Sequence, residues 1–180
     1  MNIPPPKTVK DIQSLLGKVN YLRRFISNAA VKMRPLTRLL RGAKGPEIAW
    51  GPDQDQALEE IKKALINPPV LVPPQPGRPL RLYVAASQEA VGAVLAQEGP
   101  DGVERAIYYL SKTLADYEVR YTPVEKICYA LVHAATKLEH YLLARETEVM
   151  AKVDLIKLIL QRPSLQGRLM RWAVKLAPFA

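Results

Sequence analysis

The sequence predicts an α/β protein in which a small helical region precedes a mixed sheet with helices packed on it. Three apolar, β-leaning runs, 80–86, 90–98 and 105–111, are divided by short turn-like stretches such as GPDG. This pattern is typical of three antiparallel strands joined in a meander. A long amphipathic helix, a further strand and two short helices are predicted after these runs.

The first part of the chain predicts helices. Residues 8–26 place apolar side chains at helical spacing after a run of prolines, and Thr8 is a good N-cap. A second short helix is interrupted or started by Pro35, and a third is predicted to be capped by Asp53. Residues 1–66 are therefore predicted to form a basic helical region.

A proline-rich stretch separates this region from the rest of the chain. Residues 67–79 contain six prolines in thirteen positions, which excludes a helix or a central strand and predicts an extended linker. Residues 80–180 then form the predicted second domain.

The long helix of the second domain is predicted to begin with a capping box. Thr122 takes the N-cap position, Pro123 the first helical position and Glu125 the third. The predicted apolar stripe of this helix is Ile127, Leu131, Ala134, Ala135, Leu138 and Leu142. The elements predicted after it are a fourth strand at 146–153 and short helices at 154–160 and 164–177.

Length and composition indicate a protein that folds around a buried core. The 180 residues suffice for one domain with a smaller attachment. No apolar run approaches the roughly 20 residues that span a bilayer, so we expect no membrane partner and an intracellular location, cytoplasmic or nuclear. Cys128 is the only cysteine, which excludes an internal disulfide and a zinc knuckle. His133 and His140 are too few for a histidine-based metal cage.

Positive charge is concentrated at the two ends. Residues 1–50 hold ten basic and two acidic residues, a net +8, whereas residues 51–150 carry −4 and residues 151–180 carry +5. Basic regions bind phosphate backbones by releasing counterions, although a solvated helix face gives the same count. The charge distribution favours a nucleic-acid partner over a solvated helix face.

Several longer stretches point to one family. In chain order they are SLLGKVNYLRRFIS, PLTRLL, NPPVL, ERAIYYLSKTLADYEVRYTPVEKICYALVHA, KLEHYLL and AKVDLIKLIL. They resemble the Pol polyprotein of gypsy-type LTR retrotransposons, in particular plant lineages, over nearly the whole chain. The resemblance implies the end of a reverse transcriptase thumb or connection region, followed by an RNase H-like domain that is truncated at its C-terminus. The parent polyprotein would be a reverse transcriptase and ribonuclease H.

The resemblance also implies where catalytic acids would lie. Active domains of this family use four carboxylates to hold two divalent ions about 4 Å apart. The Thr-Asp-Ala-Ser stretch that carries the first acid matches 84–87, with Ala85 at the aspartate position. Ile127 takes the position of the second acid and Lys152 that of the third, while the fourth lies beyond residue 180.

These substitutions imply an inactive RNase H fold. Ala85 and Ile127 offer no oxygen ligand to a hard divalent ion, and Lys152 would repel one. Glu125 lies about 200° round the helix from the second position and is expected to act as a cap. We therefore expect no catalytic residue, metal or other cofactor. The resemblance implies a connection domain, because a degenerate RNase H fold has that role in retroviral-type polymerases.

Basic and aromatic residues supply the candidate nucleic-acid contacts. Five arginines could follow the backbone of an RNA–DNA hybrid or template–primer duplex, or form a solvated face: Arg23, Arg24, Arg34, Arg38 and Arg41. Lys152 could hold a phosphate, but a surface lysine is the favoured interpretation. One of Tyr108 and Tyr109 is expected to be buried, and Trp172 is expected to pack against the sheet.

Three functions stay open at this point. The first is an inactive, structural segment that contacts an RNA–DNA hybrid and the remainder of a reverse transcriptase polyprotein. The second is a domesticated host protein in which the fold serves as an interaction module for a host partner. The third is an active hybrid-specific ribonuclease, which would need a cluster of metal-binding acids.

Overall fold

The computed structural model describes residues 4–43, 45–151 and 167–179. The chain divides into two compact units. The helical unit comprises Met1–Pro69 and Tyr109–Thr113, and the sheet unit comprises Val70–Tyr108 and Leu114–Ala180. The division into 1–66, a linker at 67–79 and 80–180 stays a prediction.

The helical unit contains, within the described residues, α1 (Val9–Tyr21), α2 (Ala29–Lys32), α3 (Arg34–Gly42) and α4 (Pro52–Ile66). The predicted N-cap of α1 is confirmed. The Asp11 N–H donates to the Thr8 hydroxyl (3.2 Å), and the Thr8 N–H donates to the Asp11 carboxylate (2.9 Å).

The starts of α3 and α4 show how local chemistry sets a helix boundary. Pro35 lies in the first turn of α3, where its missing N–H has no intrahelical partner to lose. Helix α4 begins after Gly51, whose N–H donates to the Gln54 side chain (3.1 Å). The predicted cap at Asp53 is therefore wrong, because this residue already lies inside the first helical turn.

All four helices contribute to the core of the helical unit. The fully buried side chains include Ile12, Leu36 and Ile61, and burying each such group stabilises the fold by about 1.5–3 kcal/mol. The buried cluster consists of Ile12, Leu15, Leu16, Val19, Ile26, Ala29, Met33, Leu36, Ala57, Leu58 and Ile61. The amphipathic spacing in the sequence thus places one face of each helix inward.

The sheet contains β1 (Leu80–Ala86), β2 (Ala90–Glu98), β3 (Glu104–Thr113) and β4 (Thr147–Met150), in the order β3-β2-β1-β4. β1 runs antiparallel to β2, with Ala85 opposite Gly92. It runs parallel to β4, with Tyr83 opposite Met150. The mixed sheet with associated helices confirms the predicted fold class.

The proline-rich segment is attached to the sheet by a buried side chain, Gln97. The Gln75 N–H donates to Gln97 Oε1 (2.7 Å), and Gln97 Nε2 donates to the carbonyls of Gln75 (3.0 Å) and Arg78 (2.9 Å). A segment rich in proline cannot form a regular ladder. One side-chain amide supplies the donor and the acceptor that a neighbouring strand would otherwise provide.

The remaining helices of the sheet unit, within the described residues, are α5 (Asp116–Val119), α6 (Pro123–Lys137), α7 (Glu139–Leu142) and α8 (Arg168–Leu176). Helix α6 packs on β1 and β2, and α8 packs on α6. The predicted helix at 154–160 lies outside the described residues. None of the described helices is long and apolar enough to cross a bilayer.

Two packing predictions need correction. Ile127 is only half-buried, because the inward face of α6 is centred on Cys128, Leu131 and Ala135. Tyr108 and Tyr109 are both half-buried, so neither is the buried member of the pair. Trp172 is buried as expected, and its ring contacts Tyr121 and Tyr129; packing against the sheet stays a prediction.

Candidate functional site

The first expected catalytic position lies on the exposed side of β1. Leu80, Leu82 and Val84 are buried, whereas Tyr83 and Ala85 alternate with them and are exposed. This alternation follows from the period of two in a strand. Position 85 is therefore accessible to a ligand, but it carries only a methyl group.

Three acids of the sheet pair with Arg81, which lies four residues before Ala85 in β1. Arg81 pairs with Glu98 (3.0 Å), Glu104 (3.4 Å) and Glu148 (3.3 Å). The Tyr83 hydroxyl donates to Glu104 (2.9 Å), and this hydrogen bond raises the tyrosine pKa. The hydrogen bond to Glu148 likewise raises the pKa of Arg81. Three carboxylates thus surround a guanidinium group.

The second expected position is Ile127 in the first turns of α6. The capping box predicted for this helix is confirmed: the Glu125 N–H donates to Thr122 Oγ1 (3.3 Å), and the Thr122 N–H donates to the Glu125 carboxylate (2.8 Å). Glu125 also pairs with Arg168 (3.3 Å). The carboxylate nearest to Ile127 in sequence therefore has two structural partners.

The residues at these positions do not fit a divalent ion. Hard cations take oxygen ligands, and the alkyl side chains of Ala85 and Ile127 supply none. Lys152, the third position, lies outside the described residues. Across the described ranges, no group of three histidine, cysteine, aspartate or glutamate residues is arranged to hold a metal ion. The His140 ring contacts the Tyr141 ring in a tilted arrangement, with ring centroids 4.2 Å apart.

Three of the predicted nucleic-acid contacts lie in one row on α3. Arg34, Arg38 and Arg41 are spaced by four and three residues and share a face of the helix. Arg38 and Arg41 are exposed and Arg34 is half-buried, whereas Leu36 is fully buried. The helix contains no acidic residue. We call Arg34, Arg38 and Arg41 the α3 arginine row.

The other two predicted arginines lie outside this row. Arg23 is half-buried, and its Nη2 donates to the carbonyl of Ser111. Arg24 is exposed, with its guanidinium 4.9 Å from the ring centroid of Phe25. Arg23 therefore has a structural partner, and its contact with nucleic acid stays a prediction.

The buried polar residues that sequence reasoning missed include Ser111 and Lys126. The Ser111 hydroxyl accepts a hydrogen bond from the Ala30 N–H (3.0 Å). Lys126 is buried next to Ile127, and its Nζ donates to the carbonyl of Gln88 (2.8 Å) in the β1–β2 turn. A lone serine in an apolar strand was the only local signal for the first, and nothing in the helical periodicity indicated the second.

A groove beside α1 was also missed. It has a volume of about 830 Å³ and is lined mainly by apolar groups, with Lys7 and Lys18 among the polar ones. Tyr21, which also lines it, is 86% exposed. These two lysines add to the basic surface of the helical unit.

Comparison with known proteins gives the family. A family model described as an RNase H-like domain found in reverse transcriptase matches residues 50–149. The Transposon Tf2-3 and Tf2-4 polyproteins of Schizosaccharomyces pombe are each 36% identical to this chain over 137 residues. Each match covers 76% of this chain but 10% of the polyprotein.

Solved structures give the same result. The foamy viral protease-reverse transcriptase in complex with dsDNA is similar over 98% of this chain and 37% of that chain, with a TM-score of 0.81 and 28% identity. The structure of the foamy viral protease-reverse transcriptase in complex with an RNA/DNA hybrid is similar over 97% of this chain and 24% of that chain, with a TM-score of 0.80 and 28% identity. The chain belongs to the family of RNase H-like domains found in reverse transcriptases.

Proposed function

We propose that this chain is a catalytically inactive RNase H-like and connection segment of a retrotransposon reverse transcriptase, of gypsy type and plant lineage, that contacts an RNA–DNA hybrid. The observation that carries the proposal is the chemistry of the expected metal-binding positions. Ala85 is exposed where the first carboxylate is expected, Ile127 replaces the second, and residue 152 is a lysine in the sequence.

The capping acid of α6 and the acids paired with Arg81 do not replace the missing ligands. Two-metal hydrolysis needs one ion to activate water and one to stabilise the leaving oxygen. Glu125 is held by its capping box and by Arg168. Glu98, Glu104 and Glu148 converge on Arg81, whose charge already neutralises part of theirs.

The α3 arginine row supports contact with a nucleic-acid backbone. Arginine pairs with phosphate through several donors in fixed geometry. The row supplies three of the ten basic residues that give residues 1–50 a net charge of +8. The similar foamy viral enzyme has been solved with dsDNA and with an RNA/DNA hybrid. On this proposal the remainder of a reverse transcriptase polyprotein is the protein partner.

A cleavage assay tests the loss of activity. The purified chain is incubated with a labelled RNA–DNA hybrid in magnesium and, separately, in manganese. We expect no cleavage of the RNA strand, because both steps that the ions assist are lost together. Metal-dependent cleavage that EDTA abolishes would contradict the proposal and favour an active ribonuclease.

A restored variant serves as the matched control. Ala85→Asp, Ile127→Glu and Lys152→Asp together return a carboxylate to each expected position. Titration calorimetry with manganese is expected to detect binding by this variant and none by the unaltered chain. If a variant that is folded by circular dichroism binds no manganese, the assignment of the three positions is wrong.

A further inference from the structure

An aromatic cluster in the sheet unit ends in an exposed ring. Tyr121 lies at its centre, with ring centroids 5.9 Å from Tyr129 and 5.8 Å from Trp172. Trp172 is buried, so this inner part is core packing between α6 and α8. Tyr117 contacts Tyr121 at 6.5 Å but is 64% exposed. The Tyr117 ring therefore packs against the aromatic core on one side and is exposed to solvent on the other.

Arginine residues lie on the segments of chain that carry these rings. The Arg168 guanidinium lies 4.2 Å from the ring centroid of Tyr121. Arg120 precedes Tyr121 in the chain and Arg171 lies one turn after Arg168, and both are exposed. We call Tyr117, Arg120, Tyr121, Arg168 and Arg171 the tyrosine–arginine surface.

Most of the nearby carboxylates already have hydrogen-bond or ion-pair partners. Glu118 is buried and accepts hydrogen bonds from the Ala115 N–H (2.7 Å) and the Tyr117 hydroxyl (3.5 Å). Glu125 is paired with Arg168. Asp116 is exposed, but its single charge is outnumbered by those of Arg120 and Arg171. The exposed charged residues of this surface are therefore two arginines, Arg120 and Arg171, and one aspartate, Asp116.

We propose that the tyrosine–arginine surface binds an unpaired nucleic-acid strand, with a base stacked on Tyr117 and the adjoining phosphates held by Arg120 and Arg171. Sites for single strands combine aromatic stacking with a positive track. A base inside a duplex is already stacked on its neighbours and does not present its face to a protein ring. The geometry thus favours a single strand over a hybrid, a different ligand class on a different unit from the α3 arginine row.

The test compares two ligands on the full chain. Binding of a labelled oligo-dT strand and of a labelled RNA–DNA hybrid is measured by fluorescence anisotropy. Tyr117→Ala is expected to weaken oligo-dT binding about 5- to 150-fold, the range for loss of one stacked base, without changing hybrid affinity. Tyr117→Phe keeps the ring but loses the hydroxyl, so it is expected to retain oligo-dT affinity.

The same measurements are made with the α3 arginine row replaced by Gln, which removes the phosphate contacts proposed for the helical unit. Loss of hybrid binding by this variant would test the proposed function and not the tyrosine–arginine surface. The proposal is refuted if oligo-dT does not bind to the unaltered chain. It is also refuted if Tyr117→Ala binds oligo-dT as tightly as the unaltered chain, or if Tyr117→Phe and Tyr117→Ala weaken oligo-dT binding equally. Photocrosslinking of an iodouracil-containing strand to the unaltered chain is expected to label Tyr117. Labelling elsewhere alone would also refute it.

Discussion

The arginines of α3 and the arginine of β1 carry the same charge but differ in the acidic residues of their own secondary structure. The α3 arginine row lies on a helix with no acidic residue, whereas Arg81 is surrounded by Glu98, Glu104 and Glu148. Helix α3 therefore supplies no counter-charge to its own arginines, whereas the other strands of the sheet supply three carboxylates to Arg81. A count of basic residues alone does not separate the two cases.

The largest expected effect comes from removing the α3 arginine row. Replacing Arg34, Arg38 and Arg41 together with Gln is expected to flatten the salt dependence of RNA–DNA hybrid binding. Each lost phosphate contact lowers the slope of log affinity against log salt by about 0.9 on a B-form duplex, or about 2.7 for three contacts. Titrations at a series of salt concentrations measure the slope.

The sheet unit offers a control with the same change in charge. Replacing Arg78, Arg81 and Arg105 with Gln removes three cations that already bind acceptors of their own unit. We expect the slope of this variant to equal that of the unaltered chain. Equal flattening by both triple variants would show a general charge effect, and absence of hybrid binding at low salt would end the hypothesis for the row.

The second expected effect is a difference in stability between substitutions of two adjacent arginines, Arg23 and Arg24. Arg23→Gln is expected to lower the free energy of unfolding by about 1.5–3 kcal/mol, because it removes a charge-assisted hydrogen bond to the Ser111 carbonyl. Arg24→Gln is expected to cost about 0.5–1 kcal/mol, the range for an exposed contact of a cation with a ring. Urea titrations measure both. Equal losses would contradict the structural role of Arg23.

The last expected effect is absent near neutral pH and concerns the pH dependence of stability. Burial raises the pKa of the Cys128 thiol from 9.0 to about 11. The unfolded chain loses this proton at lower pH than the folded chain, so the free energy of unfolding should fall as pH rises from about 9 towards 11. Cys128→Ala should lack this component when urea titrations are compared across that range. An identical decline in both proteins would assign it to other groups.

Local patterns predicted much of the fold. The capping boxes at Thr8 and Thr122 involve side chains three residues apart, and that spacing is visible in the sequence. The alternation of β1 likewise separates its buried and exposed side chains. The prediction of an Asp53 cap failed because the helix starts two residues earlier: Pro52 takes the first helical position, and the Gln54 side chain accepts a hydrogen bond from the Gly51 N–H.

The candidate site was readable from the sequence only in part. The identities of Ala85, Ile127 and Lys152 argue against metal binding without coordinates, and the α3 arginine row follows from helical spacing. The surroundings of Arg81 were not readable, because its three acidic partners come from three other strand positions.

By itself, the sequence determined the class of fold, the starts of α1 and α6, and the chemistry at the expected catalytic positions. The tertiary structure alone decided how buried polar groups are satisfied. Lys126 binds the Gln88 carbonyl 38 residues away, Gln97 binds Gln75 22 residues away, and Ser111 binds Ala30 81 residues away. Periodicity records only neighbours along a helix or strand, whereas a buried polar group takes whichever partner the completed fold brings within hydrogen-bond distance.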